Sequence, residues 1–424
     1  MAIIRPFRAI YYNQKITDLS KVVAPPYDVI DKKLQDELYN RSPYNVIRLD
    51  LNRESDPYVS ASRELERMLK ENILLTDNNE CIYPYFQTFH EQEGKEVTRR
   101  GFVAWIKLEP FESGVVLPHE RTLSKPKEDR LNLMLSTNAT FSQIFGLYSD
   151  REMQLETIYE SIRLSQPFLT AEYDSVINVI YRIEEENVLT KFKELMSTRE
   201  VYIADGHHRY ETALEYQKIM KSKNPNHTGG EPYNFIMMYF TNIFDSGLVI
   251  YPTHRIIHSL EHFNRADFIK RVSEVFELQI MNSIEELGNA LKYAGEYSFG
   301  LVLPTKQYYI MKLHRDKDAT KVIREDLPAP VKKLDVTLLH DYVLDQVLGI
   351  SRTAQERKLN INYTVERSEV DEAVQSGKAQ LGFLLNPTKV QQVQEVAQAH
   401  AVMPQKSTYF YPKLLSGILN SRLV

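Results

Sequence analysis

Apolar residues recur along the chain with two spacings, one typical of helices and one typical of strands. The helical spacing predicts helices at about 32–39, 58–72, 185–196 and 208–220. Short apolar runs predict strands at about 45–49, 141–148, 176–183 and 200–204. The runs 81–89 and 100–108 flank a polar turn around Gly94 and predict an antiparallel hairpin. Together these patterns predict an α+β protein with a mixed sheet.

The pattern of apolar residues along the chain changes near residue 260. Beyond it, strands at 298–303 and 307–313 are close enough to form a hairpin, and a helix at 335–348, a strand at 381–385 and a helix at 389–400 follow. The 424 residues are two or three times the length of a typical domain. We therefore expect two domains, 1–260 and 261–424, the second a C-terminal α/β region.

The composition of the chain argues against several classes of protein. Hydrophobic residues make up 43% and charged residues 26%, as in ordinary globular proteins, and the formal charge of −5 argues against a dedicated nucleic-acid binder. The one cysteine, Cys81, rules out an intramolecular disulfide and a cysteine-based metal cluster. Arg5 and Arg8 interrupt the N-terminal apolar run, and no run approaches the roughly 20 apolar residues of a membrane helix. We expect a cytoplasmic protein with no membrane partner; a homo-oligomer stays open.

The segment Asp205-Gly206-His207-His208-Arg209 lies between a predicted strand and a predicted helix. Gly206 permits a sharp turn, and a helix beginning behind it offers N–H groups and a partial positive charge to a phosphate. Arg209 adds a forked donor, and the two histidines add donors, acceptors or a proton shuttle. In the alternative reading, Asp205 only caps the helix and the histidines pack as hydrogen-bonded polar groups. We expect the cap in either case, and we favour a ligand site because packing alone does not explain two histidines and an arginine in one turn.

A second charged segment spans 119–130. Its candidate phosphate-binding side chains are His119, Lys125, Lys127 and Arg130. Glu120 is a candidate general base, and Glu120 with Asp129 could hold a Mg²⁺ ion. A solvated charged loop ahead of a helix is an equal alternative.

Two weaker candidates follow. His254 and Arg255 come at the end of a predicted strand, where polar clusters often line a cleft. Lys406, Ser407 and Thr408 combine a cation with two hydroxyls, as phosphate loops do, but without the glycines of a P-loop. A structural role explains His254 and Arg255 equally well, and the motif at Lys406 is low in specificity.

A tightly bound transition metal is less favoured. Adjacent histidines rarely bind one ion together, and no H-E-x-x-H spacing occurs. Mg²⁺ accompanying a nucleotide fits better, because it needs only one or two carboxylates besides phosphate oxygens.

Several separate motifs occur in one order along the chain: 25–29, 119–122, 126–131, 144–148, 205–210, 252–255 and 403–410. In this order they closely resemble a bacterial and archaeal family catalogued as a domain of unknown function, number one thousand and fifteen. The box at 205–210 is also similar to one in the ParB and sulfiredoxin superfamily, which includes ADP-dependent free-serine kinases. That resemblance implies a ParB/sulfiredoxin-like mixed-sheet core with the hairpin as an insertion. It also places Gly206, His207, His208 and Arg209 against the phosphates of ADP or ATP.

These observations leave four hypotheses. The first is a nucleotide-dependent phosphotransferase acting on a small hydroxyl compound, with free serine as the leading acceptor. The others are a phosphatase acting on phosphoserine or a related ester, a non-catalytic nucleotide-binding switch, and a metal-dependent hydrolase. The candidate catalytic residues are Glu120, Asp205, His207 and His208.

Overall fold

A computed structural model describes residues 1–92, 94–120, 124–324 and 326–424, without the side chains of 124–126. The chain divides into two units. The first holds Met1–Pro118, residues 124–249 and Pro412–Val424, and the second holds His119, Glu120 and Ile250–Tyr411. The domain boundary predicted at 260 did not anticipate that the C-terminal segment Pro412–Val424 belongs to the first unit. No helix in the described ranges has the length and apolar character needed to cross a membrane.

The first unit contains most of the strands. In chain order they are β1 (Ile4–Arg5), β2 (Ile10–Tyr12), β3 (Leu74–Thr76), β4 (Tyr83–His90), β5 (Glu96–Lys107), β6 (Val116–Leu117), β7 (Ala139–Thr140), β8 (Ile144–Tyr148), β9 (Leu169–Tyr173), β10 (Val176–Ile180), β11 (Val201–Asp205) and β12 (Phe235–Asn242). Its helices are α1 (Leu19–Val22), α2 (Lys32–Arg41), α3 (Ile47–Asp50), α4 (Pro57–Lys70), α5 (Ser124–Thr137), α6 (Glu156–Ile162), α7 (Glu186–Met196) and α8 (His207–Lys223).

The described residues of this unit form a nine-stranded mixed sheet in the order β6-β11-β8-β12-β5-β4-β10-β9, with β1 also paired to β5. The predicted hairpin is confirmed as β4 and β5, paired antiparallel from Tyr83 opposite Val103 to His90 opposite Glu96. β12 runs parallel to β8 and antiparallel to β5, and all of its residues are buried. A sheet with both pairings and flanking helices confirms the mixed α+β class. The ParB/sulfiredoxin assignment stays a prediction.

The core of the first unit lies between this sheet and its helices. The Phe102 ring packs against Phe192 of α7 at 4.8 Å and against Phe240 of β12 at 5.0 Å between centroids. Helix α8 buries Tyr210, Ala213 and Tyr216, which recur at helical spacing. Because one face of α8 is fixed in this way, the residues of its first turn have a defined position at the end of β11.

The second unit has a smaller sheet. Its strands, with β13 beginning at the unit boundary, are β13 (Val249–Tyr251), β14 (His254–Ile257), β15 (Phe276–Met281), β16 (Ser298–Leu303), β17 (Gln307–Leu313), β18 (Ile361–Thr364), β19 (Leu381–Leu384) and β20 (Tyr409–Tyr411). The last strand of the chain, β21 (Ser421–Arg422), belongs to the first unit and pairs there with β7. Its helices are α9 (Arg265–Val272), α10 (Ile284–Lys292), α11 (Ala319–Val322), α12 (Ala329–Lys332), α13 (Asp335–Leu338), a π-helical turn Leu339–Val347, α14 (Arg352–Glu356), α15 (Arg367–Gln375) and α16 (Val390–Gln398). The described sheet runs β15-β17-β16-β19-β14-β18. The predicted hairpin of β16 and β17 is confirmed.

The strand predicted at 45–49 is wrong, because this segment enters α3. The Asn45 side chain accepts the N–H of Ile47 at 3.0 Å and so begins a helical turn. Val46, Ile47 and Leu49 are all buried. A strand would place Val46 and Ile47 on opposite faces, whereas the turn buries all three of these side chains together.

Candidate functional site

The junction of β11 and α8 is built around Gly206. Strand β11 ends at Asp205, and Gly206 occupies the N-cap position with φ of 91° and ψ of 27°. Residues other than glycine rarely adopt this left-handed backbone conformation. A Cβ at Gly206 would also lie 2.8 Å from the Arg209 guanidinium. The glycine therefore permits both the turn and the close approach of Arg209.

The carboxylate of Asp205 binds two cations. Nη2 of Arg209 donates to Oδ2 at 2.8 Å, and Nζ of Lys413 donates to Oδ1 at 2.7 Å. The expectation that Asp205 caps α8 is wrong, since Gly206 holds the N-cap position and Asp205 is the last residue of the strand. Both carboxylate oxygens instead hold cations beside the N-terminus of the helix.

Two cations lie close together at this junction. Arg209 and Lys413 are 12% and 17% exposed, and they share one carboxylate. Nη1 of Arg209 also donates to the Gln143 carbonyl at 2.6 Å, which fixes the guanidinium. A helix N-terminus adds roughly half a positive elementary charge. Charges in a partly buried place interact more strongly than in water.

A β-bulge and a buried arginine support the junction. The register of β11 against β8 shifts between Ile203 and Asp205, which lies opposite Phe145. The Arg99 guanidinium lies 4.6 Å from the Phe145 ring centroid and donates to the Pro412 carbonyl at 2.7 Å. Burial lowers the pKa of Arg99. Because Lys413 follows Pro412, Arg99 helps to place the segment that brings Lys413 to Asp205.

Two other predicted phosphate ligands in this unit are engaged with carboxylates. Arg130 is buried and bonds to Asp50 at 2.7 Å and to Asp129 at 2.6 and 2.8 Å. Nζ of Lys127 donates to Glu211 at 2.6 Å. The guanidinium of Arg130 also lies 4.4 Å from the ring of Tyr27, and burial raises the pKa of Tyr27 to about 12. The charge of Arg130 is therefore balanced by two carboxylates within the protein.

The two histidines differ in exposure. His207, the first residue of α8, is buried, whereas His208 is half-buried. The predicted cation Lys125 has its side chain outside the described residues.

Other predicted site residues lie in the second unit. His119 is fully buried, and its Nε2 lies 3.1 Å from the hydroxyl of Thr408. The backbone N–H of Lys406 donates to the Glu120 carboxylate at 3.3 Å. The carbonyl of Lys406 accepts from Arg255 at 3.2 Å, and the hydroxyl of Ser407 donates to the Pro404 carbonyl at 2.5 Å. Three segments distant in sequence, at 119–120, 253–255 and 403–408, therefore meet in this unit.

His254 of this second group is uncharged at neutral pH. Burial first, and then the nearby Arg255, lower the pKa of His254 to about 3. The Nδ1 of His254 accepts the N–H of Leu385 at 3.2 Å. His254 thus joins β14 to the end of β19, and it does not offer a positive charge to a phosphate at neutral pH.

The search of the sequence missed three contributors to the β11–α8 junction: Arg99, Gln143 and Lys413. Lys413 lies three positions beyond the motif 403–410, and Arg99 lies just before the run 100–108 that was predicted as a strand. Arg99 is fully buried and Arg100 beside it is not, and the sequence alone does not distinguish the two. Gln143 acts through its backbone carbonyl, which no residue pattern reveals.

The predicted Mg²⁺ ligands are engaged in other contacts. Asp129 binds Arg130 and accepts the hydroxyl hydrogen of Tyr58 at 3.0 Å, and Glu120 accepts the Lys406 N–H. In the part of the chain that the structure describes, no group of three or more His, Cys, Asp or Glu side chains could hold a metal ion.

The chain belongs to the family described as protein of unknown function (DUF1015), whose model matches residues 4–337. This match confirms the family that the sequence motifs indicated. No curated protein matches the chain.

Solved structures give more distant likenesses. A conserved hypothetical protein from Pyrococcus furiosus is 13% identical over 74% of this chain and 94% of its own, with a TM-score of 0.36. A free serine kinase variant in complex with ADP is 13% identical over 74% and 91%, with a TM-score of 0.37. C-terminally truncated SbnI from Staphylococcus aureus is 8% identical over 73% and 85%, with a TM-score of 0.29. At these TM-scores the likenesses carry no argument about ligand or reaction.

The left-handed backbone at Gly206 predicts the effect of a methyl group there. Gly206→Ala is expected to lower the free energy of unfolding by about 1–3 kcal/mol, because the backbone is strained and the Cβ displaces Arg209. Urea unfolding measures this, with Gly230→Ala as the control, since the nearest atom to its new Cβ lies at 3.6 Å. Equal midpoints for the two variants would contradict the assignment.

The carboxyl of Asp335 in the second unit predicts a pH dependence. Burial raises its pKa from 3.8 to about 6, against the opposing bond from the Tyr297 N–H. A raised folded-state pKa gives stability that is present below the unfolded value and is lost as the pH rises through about 6. Asp335→Asn should therefore gain stability relative to the native protein by roughly 2–3 kcal/mol between pH 4 and pH 7. Urea midpoints at several pH values test this, and parallel curves for both proteins would exclude it.

Proposed function

We propose that the β11–α8 junction binds the phosphate groups of a nucleotide such as ADP or ATP. The observation that carries this proposal is the carboxylate of Asp205, which holds Arg209 at 2.8 Å and Lys413 at 2.7 Å beside the N-terminus of α8. Arg209, Lys413 and the N-terminus of α8 are all groups that bind phosphate oxygens, and this carboxylate holds the two cations side by side. Asp205 then acts as a positioning residue, because its two oxygens bind the cations.

We further propose that the bound nucleotide donates a phosphoryl group to a small hydroxyl compound, with free serine as the first acceptor to test. The acceptor oxygen attacks the terminal phosphorus, the bond from this phosphorus to the leaving nucleotide oxygen breaks, and a base takes the hydroxyl proton. Arg209 and Lys413 would stabilise the charge on the transferred group. His208, half-buried in the first turn, is the candidate for the proton.

Other predicted roles carry less weight in this proposal. Arg130 and Lys127 already bind carboxylates at 2.6–2.8 Å, so we omit them from the phosphate ligands. Glu120 belongs to the second unit, where its carboxylate accepts the Lys406 N–H, and we assign it no part in this site.

Replacing Lys413 tests the phosphate site. Lys413→Gln is expected to weaken ADP and ATP binding roughly 10- to 100-fold, because a charge-assisted bond to phosphate is worth about 1.5–3 kcal/mol. Isothermal titration calorimetry with the full chain measures the affinity. Lys32→Gln is the matched control, since the Lys32 side chain is 73% exposed on α2.

Equal affinity for Lys413→Gln and the native protein would exclude the proposed ligand set. The reaction is tested separately, by incubating the protein with nucleotide, serine and Mg²⁺ and following phosphoserine by mass spectrometry. Formation of phosphoserine supports the phosphotransferase. If the protein instead hydrolyses added phosphoserine to serine and phosphate, the activity is that of a phosphatase. Nucleotide binding without any turnover would support the non-catalytic nucleotide-binding switch.

A further inference from the structure

Arg255 in the second unit is a buried cation whose recorded partners are neutral. It is 1% exposed, and its Nε and Nη2 donate to Nε2 of His340, each at 3.1 Å. Its remaining bonds go to the carbonyls of Thr253 and Lys406. Burial lowers the pKa of His340 to about 3, so the imidazole is uncharged. Within the described ranges, no carboxylate acts on the pKa of Arg255, which burial lowers to about 10.

A buried charge without an opposite charge is costly, and proteins rarely keep one without a use for it. A guanidinium has five N–H groups, and the four recorded bonds use one on Nε, one on Nη1 and two on Nη2. One Nη1 hydrogen therefore has no acceptor among the residues that the structure describes. Arg255 can therefore donate this hydrogen to a ligand, and its positive charge can balance a negative charge on that ligand.

The hydroxyl of Thr253 supplies a second donor. Thr253 is 5% exposed, and its Oγ1 is buried without a hydrogen-bond partner in the described part of the protein. Thr253 and Arg255 line the same cavity, of about 20 Å³, together with Asp335, Thr388 and Ser407. A buried hydroxyl left without a partner costs on the order of 1–3 kcal/mol, and a ligand that accepts its hydrogen would remove this cost.

The size and donors of this cavity favour a particular anion. About 20 Å³ is room for one or two small groups, because a single water needs roughly 10–15 Å³. Two donors and one positive charge match the two oxygens and single charge of a carboxylate. A phosphate group is larger and carries more charge than this set of donors balances.

We propose that the second unit binds the carboxylate group of a small molecule between Arg255 and Thr253. This site lies wholly within Ile250–Tyr411, and it does not depend on nucleotide binding by the first unit. In the competing explanation, Arg255 is only a clamp that joins β14 to His340 and the Lys406 carbonyl.

Acetate is the probe, and the full chain is the sample. The melting temperature is measured in sodium acetate and in sodium chloride at equal ionic strength, at about pH 5.5. At that pH acetate is mostly ionised. Asp335, which lines the same cavity and has a pKa of about 6, is then mostly uncharged and does not repel acetate. Acetate that binds the folded state raises the melting temperature with its concentration.

Thr253→Val should weaken this acetate effect about tenfold in apparent affinity, because it removes one donor and keeps the shape of the side chain. The control is Thr353→Val, which alters an exposed residue of α14 and should leave the effect unchanged. Arg255→Lys, which keeps the charge and removes the fork, should also weaken the effect. Because Thr253→Val deletes only a hydroxyl, the test does not depend on Arg255→Lys folding.

Three results would overturn the proposal. Acetate could stabilise the native protein no more than chloride does. It could stabilise Thr253→Val as strongly as the native protein. Sodium phosphate could raise the melting temperature more than acetate does, and Thr253→Val could abolish this rise. The ligand group would then be a phosphate and not a carboxylate.

Discussion

The candidate site of the first unit depends on one interaction, the simultaneous binding of Arg209 and Lys413 by the carboxylate of Asp205. Asp205 ends β11, Arg209 lies in the first turn of α8, and Lys413 lies 208 positions away in sequence. Gly206 makes the turn between strand and helix, and Arg99 binds the Pro412 carbonyl just before Lys413. Removing the carboxylate would leave two half-buried cations next to each other and to the positive end of a helix.

The same interaction explains how this junction differs from the other charged groups of the unit. Arg130 is surrounded by Asp50 and Asp129, so its charge is satisfied and it stabilises the packing of α5. At the junction one carboxylate binds two cations beside the N-terminus of α8. In the proposed function, the phosphate groups of the nucleotide bind both of these cations.

Sequence patterns predicted the local parts of this arrangement. The hairpin of β4 and β5, the short strand β11, the helix α8 and the glycine between them follow from apolar spacing and from the backbone freedom of glycine. The family followed from the order of several motifs. Two local predictions failed because side chains bonded to nearby backbone or to distant cations: Asn45 starts a helical turn, and Asp205 holds cations instead of capping α8.

The long-range parts could not be predicted in this way. Nothing local to Lys413 shows that Pro412–Val424 returns to the first unit, and nothing local to His119 shows that it meets Thr408. Such contacts are set by the packing of whole sheets and not by spacing along one segment. A crystal structure of the full chain with ADP tests the central claim most directly. We expect phosphate oxygens within hydrogen-bonding distance of both Lys413 and Arg209; ADP bound away from the β11–α8 junction would contradict the account.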